Sequence, residues 1–200
     1  MYIPTSMQMQ DVAQSYEFIR QFGFGILISQ DFNITHIPFL VDTQQHRLYA
    51  HMAKANHHWK QLNQQQVSVI FNGPHSYISP RWYTQYPAVP TWNYAAVQVT
   101  GQLLLLDETA TVKIVTQLMQ QYEPELLQPP YSMPDNIIER LKSAIVGISI
   151  DITSIEGKLK LGQHKSTEDQ KGVLRGLECS SDINAQALAQ YMKSINTGIG

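Results

Sequence analysis

Between residues 24 and 52 three apolar runs follow one another with very little chain between them. FGILISQ covers 24–30, ITHIPFLVD covers 34–42 and RLYAHM covers 47–52. The breaks, DFN and TQQH, are too short for a crossover, which needs about a dozen residues or more. These runs must therefore pair as antiparallel hairpins. Further strand patterns follow at QVSVIFNG (66–73), from about Trp92 to Leu106, and at VGISIDITSIEGKLKL (146–161). Helical patterns are interspersed. Asp11 caps VAQSYEFIRQF, with Val12, Tyr16 and Ile19 on one face. Asn56 caps a short HHWKQLNQ, and Asp107 caps ETATVKIVTQLMQQY. PPYSMP breaks the chain, and Asp135 starts NIIERLKSAIVG. Ser166 and Asp169 have capping-box spacing before EDQKGVLRGL, and INAQALAQYMKSI ends before Gly198. Six or seven antiparallel strands with inserted and C-terminal helices predict an α+β, barrel-like fold. The expectation is one domain over 1–200, with 163–200 as a C-terminal helical extension.

Charge narrows the partners. Fourteen Lys and Arg against sixteen Asp and Glu leave a net charge of −2. A domain that binds nucleic acid through phosphate contacts is usually basic, so a DNA role here needs a local patch. Charged residues are only 15% of the chain, which suits a surface that buries area against a partner. The single cysteine, Cys179, allows no intramolecular disulfide and fits a reducing compartment. The first residues lack the basic start and apolar run of a signal peptide, and VTGQLLLL is too short to span a bilayer. The expectation is a soluble cytoplasmic protein with no membrane partner.

Seven histidines form no HExxH and no zinc-type set, so no metal site is expected. His57 and His58 are adjacent and make a poor chelate on a helix. His36 and His51 sit in apolar strands, where an unpaired imidazole is costly. Each bonds a backbone carbonyl or faces a polar ligand, and both readings stay open. GxSxG, GxGxxG and the P-loop are all missing from the sequence, and no catalytic residue is named. Two basic stretches stand out. HMAKAN (51–56) puts Lys54 and the cap Asn56 at a strand-to-helix turn, which suits a phosphate. EGKLKLGQHKS (156–166) supplies Lys158, Lys160, Gln163, His164 and Lys165. Between them lies a proline-stiffened aromatic region, GPHSYISPRWY (73–83) and TWNYAAV (91–97), read as beginning with a loop. Cations for a phosphate and aromatics for a flat ring are what flavin mononucleotide (FMN) requires.

Six strings carry a more specific signal: THIPFLVD, HMAKANHHW, FNGPHSYISPRWY, VPTWNYAAVQVTG, KLKLGQHKSTEDQKGVLRGL and the opening MYIP. In order, from Met1 to about Leu177, they resemble the PaiB-type family, whose members are labelled FMN-binding negative transcriptional regulators. The resemblance implies an FMN-binding split β-barrel, similar to the pyridoxamine-phosphate oxidase group, in a homodimer with each FMN in a cleft between subunits. It places Thr35, His36 and Pro38 beside the isoalloxazine and His51, Lys54 and Asn56 at the phosphate. Trp92 and Asn93 would close the cleft from the other subunit, and Lys160 and Gln163 belong to the C-terminal motif. That motif usually reads KLSQNRS, whereas here it is KLGQHKS, with Gly162 and His164 among the positions that depart from it.

Three functions compete at this point. They are an FMN-binding regulator, an FMN-dependent oxidoreductase acting on a small substrate, and a split-barrel protein holding another flat ligand such as haem. Direct DNA binding is doubtful. The last two helices have helix-turn-helix spacing, but the second carries Lys193 as its one cation. Proline-stiffened rings can line a flat-ligand cleft at low ordering cost. The competing account makes Trp82 and Tyr83 part of a dimer core.

Overall fold

The computed structural model describes residues 1–132 and 134–200. Helix α1 (Val12–Gln21) leads into β1 (Phe24–Ile28), β2 (Ile34–Pro38), β3 (Leu40–Asp42) and β4 (Arg47–Ala53). A short 3₁₀ helix, His57–Gln61, precedes β5 (Gln66–Ile78). A second, Pro80–Trp82, lies before β6 (Thr91–Leu105). Helices α2 (Glu108–Tyr122) and α3 (Asp135–Ala144) follow, then β7 (Ile145–Lys160), α4 (Thr167–Glu178) and α5 (Ile183–Ser194). The seven strands form one sheet in the order β2-β1-β5-β6-β7-β4-β3. The hairpin β1–β2 is antiparallel, with Ile26 opposite His36, as is β3–β4. The α+β split-barrel expectation holds.

The run 34–42 is two strands, not one. They lie on opposite edges of the sheet, yet Phe39 alone separates them. Edges joined by one residue must lie close together, so the sheet curls on itself. Phe39 is 1% exposed and meets Phe71 edge-on, with centroids 5.5 Å apart. Gly25 leaves room for that pair, because a Cβ there would come within 2.8 Å of Phe71 Cε1.

The chain forms two compact units. One comprises Ala13–Phe71 and Gln98–Ile155, and the other Met1–Val12, Asn72–Val97 and Glu156–Gly200. In the first, Leu48, Ala50 and Met52 of β4 alternate inward with Val67, Val69 and Phe71 of β5. Asp107 caps α2 through Ala110 N–H at 2.7 Å, and Gly147 N–H of β7 donates to Thr111 Oγ1 of α2 at 3.0 Å.

In the second unit, residues 73–78 are not a loop but the end of β5, fixed by the fully buried Ile78. Trp82 lies on α4, where a Cβ at Gly176 would overlap its indole and one at Gly172 its carbonyl. Trp82 thus packs on α4 within its own chain and stays half-buried. Ser166 does cap α4, accepting from Asp169 N–H at 3.3 Å. The Asp169 carboxylate departs from the capping-box role: it accepts from Thr84 N–H at 2.7 Å, Thr84 Oγ1 at 2.8 Å and Gln85 N–H at 3.3 Å. Hydrogen bonds from Thr84 hold this carboxyl below the usual carboxylate range. A depressed pKa means the contribution is present above the ordinary carboxylate range and lost as pH falls through the folded value. Acid is therefore expected to loosen the 79–90 segment. The expected readout is a red shift of Trp82 emission, and Asp169→Asn should show that shift already at neutral pH.

Candidate functional site

The residues singled out from sequence fall into two groups, one in each unit. In the first, strand alternation separates neighbours. Thr35 is buried, whereas His36 is exposed on the other face with its ring 6.3 Å from Phe24, and Pro38 is half-buried. Thr35 Oγ1 meets His58 Nδ1 at 2.8 Å and accepts from Asn56 Nδ2 at 3.1 Å. Asn56 caps the 3₁₀ helix, accepting from His58 N–H at 3.1 Å.

The Lys54 backbone is held on both sides: its N–H donates to Ala144 O at 2.8 Å and its carbonyl accepts from Trp59 Nε1 at 2.9 Å. Its side chain is exposed, and it is in none of the ion pairs among the described residues. A rigid turn thus carries an unneutralised ammonium. His51 lies on β4 opposite Gly147, on the face away from Leu48 and Ala50. Its Nδ1 is buried with no hydrogen-bond partner among the described residues, and burial pushes its pKa down. Of the two readings for His51, the backbone-carbonyl one finds no support at this nitrogen.

The second group centres on the start of β6. Trp92 is 53% exposed, with the rings of His75 at 6.1 Å and Tyr77 at 6.4 Å. Asn93 points the other way and is 2% exposed, and its Nδ2 has no partner among the described residues. A Cβ at Gly162 would sit 3.6 Å from that nitrogen, so the departure from serine leaves the amide without a neighbouring hydroxyl. Lys160 Nζ donates to Thr91 Oγ1 at 2.6 Å and to the Trp92 carbonyl at 2.8 Å. Gln163 Nε2 donates to Leu159 O at 2.6 Å and Ser6 O at 2.9 Å, while its Oε1 accepts from Leu161 N–H at 2.9 Å. Lys160 therefore braces the backbone at Thr91–Trp92, and Gln163 ties the end of β7 to Ser6.

A buried amide without a partner is costly in a folded chain unless a ligand completes it. Asn93 Nδ2 offers N–H donors that fit a flavin carbonyl, and His51 Nδ1 offers an uncommitted imidazole nitrogen on the strand that leads into the HMAKAN turn. Lys54 with the capped turn fits a phosphate. FMN supplies redox chemistry when bound. Sequence reasoning missed His58, Ser29 and Asp31, which form a part-buried network with Thr35 and Asn56. The contrast between exposed His57 and buried His58 was hidden by their adjacency.

Residues 1–154 match the profile of the family described as "Putative FMN-binding domain". The chain belongs to the PaiB-type FMN-binding family. It is 28% identical over 201 residues to "Protease synthase and sporulation protein PAI 2" of Bacillus subtilis, covering 96% of this chain and 97% of that protein. An uncharacterised protein of Emericella nidulans is 34% identical over 186 residues, covering 72% of this chain and 74% of that one. Among solved structures, the flavocytochrome Anf3 of Azotobacter vinelandii superposes with a TM-score of 0.61 at 16% identity. The superposition covers 80% of this chain and 73% of that one. The FAD and heme binding protein of Mycobacterium smegmatis gives 0.61 at 11% identity, covering 78% and 74%. These likenesses are of fold. FMN is the cofactor of this PaiB-type protein, and no described helix is long and apolar enough to cross a membrane.

Proposed function

We propose that this PaiB-type protein is a homodimeric, cytoplasmic FMN-binding negative regulator of transcription that acts without reading DNA through its own helices. The regulatory part is supported by likeness to PAI 2 along nearly the whole length of both chains, a protein whose name ties it to protease synthesis and sporulation. In this reading Thr35, His36 and Pro38 flank the flavin ring and His51, Lys54 and Asn56 serve the phosphate end. Trp92 and Asn93 complete the site from the second copy, Lys160 holds that strand in place, and Gln163 fixes the chain leaving β7.

One observation carries the indirect mode of action. Lys193, the one Lys or Arg of α5, is ion-paired with Glu178 of α4. A recognition helix needs cations free for phosphates before base readout begins. A mobility-shift assay at physiological salt, scanning promoter fragments with competitor DNA, is expected to show no fragment bound at nanomolar concentration. Tight binding to one fragment, lost on scrambling it, would restore direct repression.

A further inference from the structure

Five side chains form an unbroken hydrogen-bonded chain whose direction is set at both ends. At one end the Asn56 amide is oriented by the backbone. Its Oδ1 accepts from His58 N–H, so its Nδ2 is the group that donates to Thr35 Oγ1 at 3.1 Å. At the other end Ser29 Oγ donates to the Asp31 carboxylate, whose second oxygen accepts from Asn33 Nδ2 at 2.6 Å. A hydroxyl has one hydrogen. With that hydrogen directed at Asp31, Ser29 Oγ must accept from His58 Nε2, 2.8 Å away. His58 then carries its proton on Nε2, and Nδ1 accepts from Thr35 Oγ1 at 2.8 Å. Every hydrogen points from Asn56 toward Asp31. Ser29, Thr35 and His58 are all buried. Burial pushes His58 below the ordinary imidazole value against an opposing pull from Asp31, which keeps the ring neutral as this order requires.

The Ser29–His58 contact looks like a nucleophile with its base, but the carboxylate is on the serine rather than on the far imidazole nitrogen. The buried hydroxyl is also closed to a substrate. What the chain does control is Asn56. One Nδ2 hydrogen is held by Thr35, which leaves the second for an external acceptor.

We propose that His58, fixed as its Nε2–H tautomer by Ser29 and Asp31, is the positioning residue of the FMN-phosphate turn. Through Thr35 it holds the Asn56 amide so that its second N–H meets a phosphate oxygen beside Lys54. This rests on the reading of HMAKAN as the phosphate turn. The test titrates FMN and riboflavin by fluorescence quenching and reads the His58 tautomer by ¹⁵N NMR. Wild type should show the neutral Nε2–H form. His58→Ala should weaken FMN by roughly ten-fold and riboflavin by less than about three-fold. Glutamine can donate and accept in one plane, so His58→Gln should recover most of the loss. Asp31→Asn should mix the tautomers and weaken FMN by roughly three-fold.

An Nδ1–H tautomer in wild type, or unchanged FMN affinity in folded His58→Ala, overturns the proposal. If His58→Ala fails to fold, the wild-type tautomer and Asp31→Asn decide by the same criteria. The two ideas fail differently. Equal affinity for FMN and riboflavin in wild type, unmoved by Lys54→Ala, would remove the phosphate turn itself. An FMN preference lost in Lys54→Ala but kept in every His58 variant would remove only the positioning role.

Discussion

Phe39→Ala is expected to lower stability by about 3–5 kcal/mol, the range for truncating a fully buried aromatic. Phe39 is the single residue between strands on opposite edges of the sheet, and its N–H donates to Gly23 O at 2.8 Å. Its ring fills the space between Gly25 and Phe71. Truncation leaves a cavity where the sheet curls, between the Gly25 backbone and the Phe71 ring. Small proteins hold only about 5–15 kcal/mol in total, so the variant should lose a large share. Urea unfolding monitored by circular dichroism measures it. A loss under about 1 kcal/mol would mean that Phe39 does not fill the curl.

Lys54→Ala should weaken FMN by roughly ten-fold or more while leaving riboflavin nearly unchanged. A charge-assisted hydrogen bond contributes about 1.5–3 kcal/mol, and each 1.4 kcal/mol is about a factor of ten in affinity. The lysine has no ion-pair partner among the described residues, so its removal strands no other charge. Its backbone is tied to Ala144 and Trp59 Nε1, so the turn should keep its shape. Selectivity between two ligands that differ only by the phosphate isolates that contact from the ring. Equal losses for both would place Lys54 at the isoalloxazine or in the fold.

Local chemistry was legible in the sequence wherever one residue decides it. Asp107, Asn56 and Ser166 cap the helices that their positions predict. The short breaks after residues 30 and 42 did mark antiparallel hairpins. Where three dimensions decide, the pattern was silent. Apolar alternation runs straight through Phe39, although the chain changes edges there. Gly73 and Pro74 look like loop residues, yet β5 continues to Ile78. Asp169 has capping-box spacing, but its carboxylate is taken by the distant Thr84 and Gln85. For the site, the HMAKAN turn chemistry could be argued from residue types. Asn93 came only through family resemblance, and its orphaned amide is visible only once burial is known.

The central claim is that the chain holds one FMN per subunit in a homodimer. Sedimentation of the protein with FMN, scanned at the visible flavin band, tests it most directly. Flavin absorbance should travel with a species of about twice 22.7 kDa, at one FMN per chain. Flavin left behind as the free nucleotide, or carried by a folded species of single-chain mass, would contradict the account.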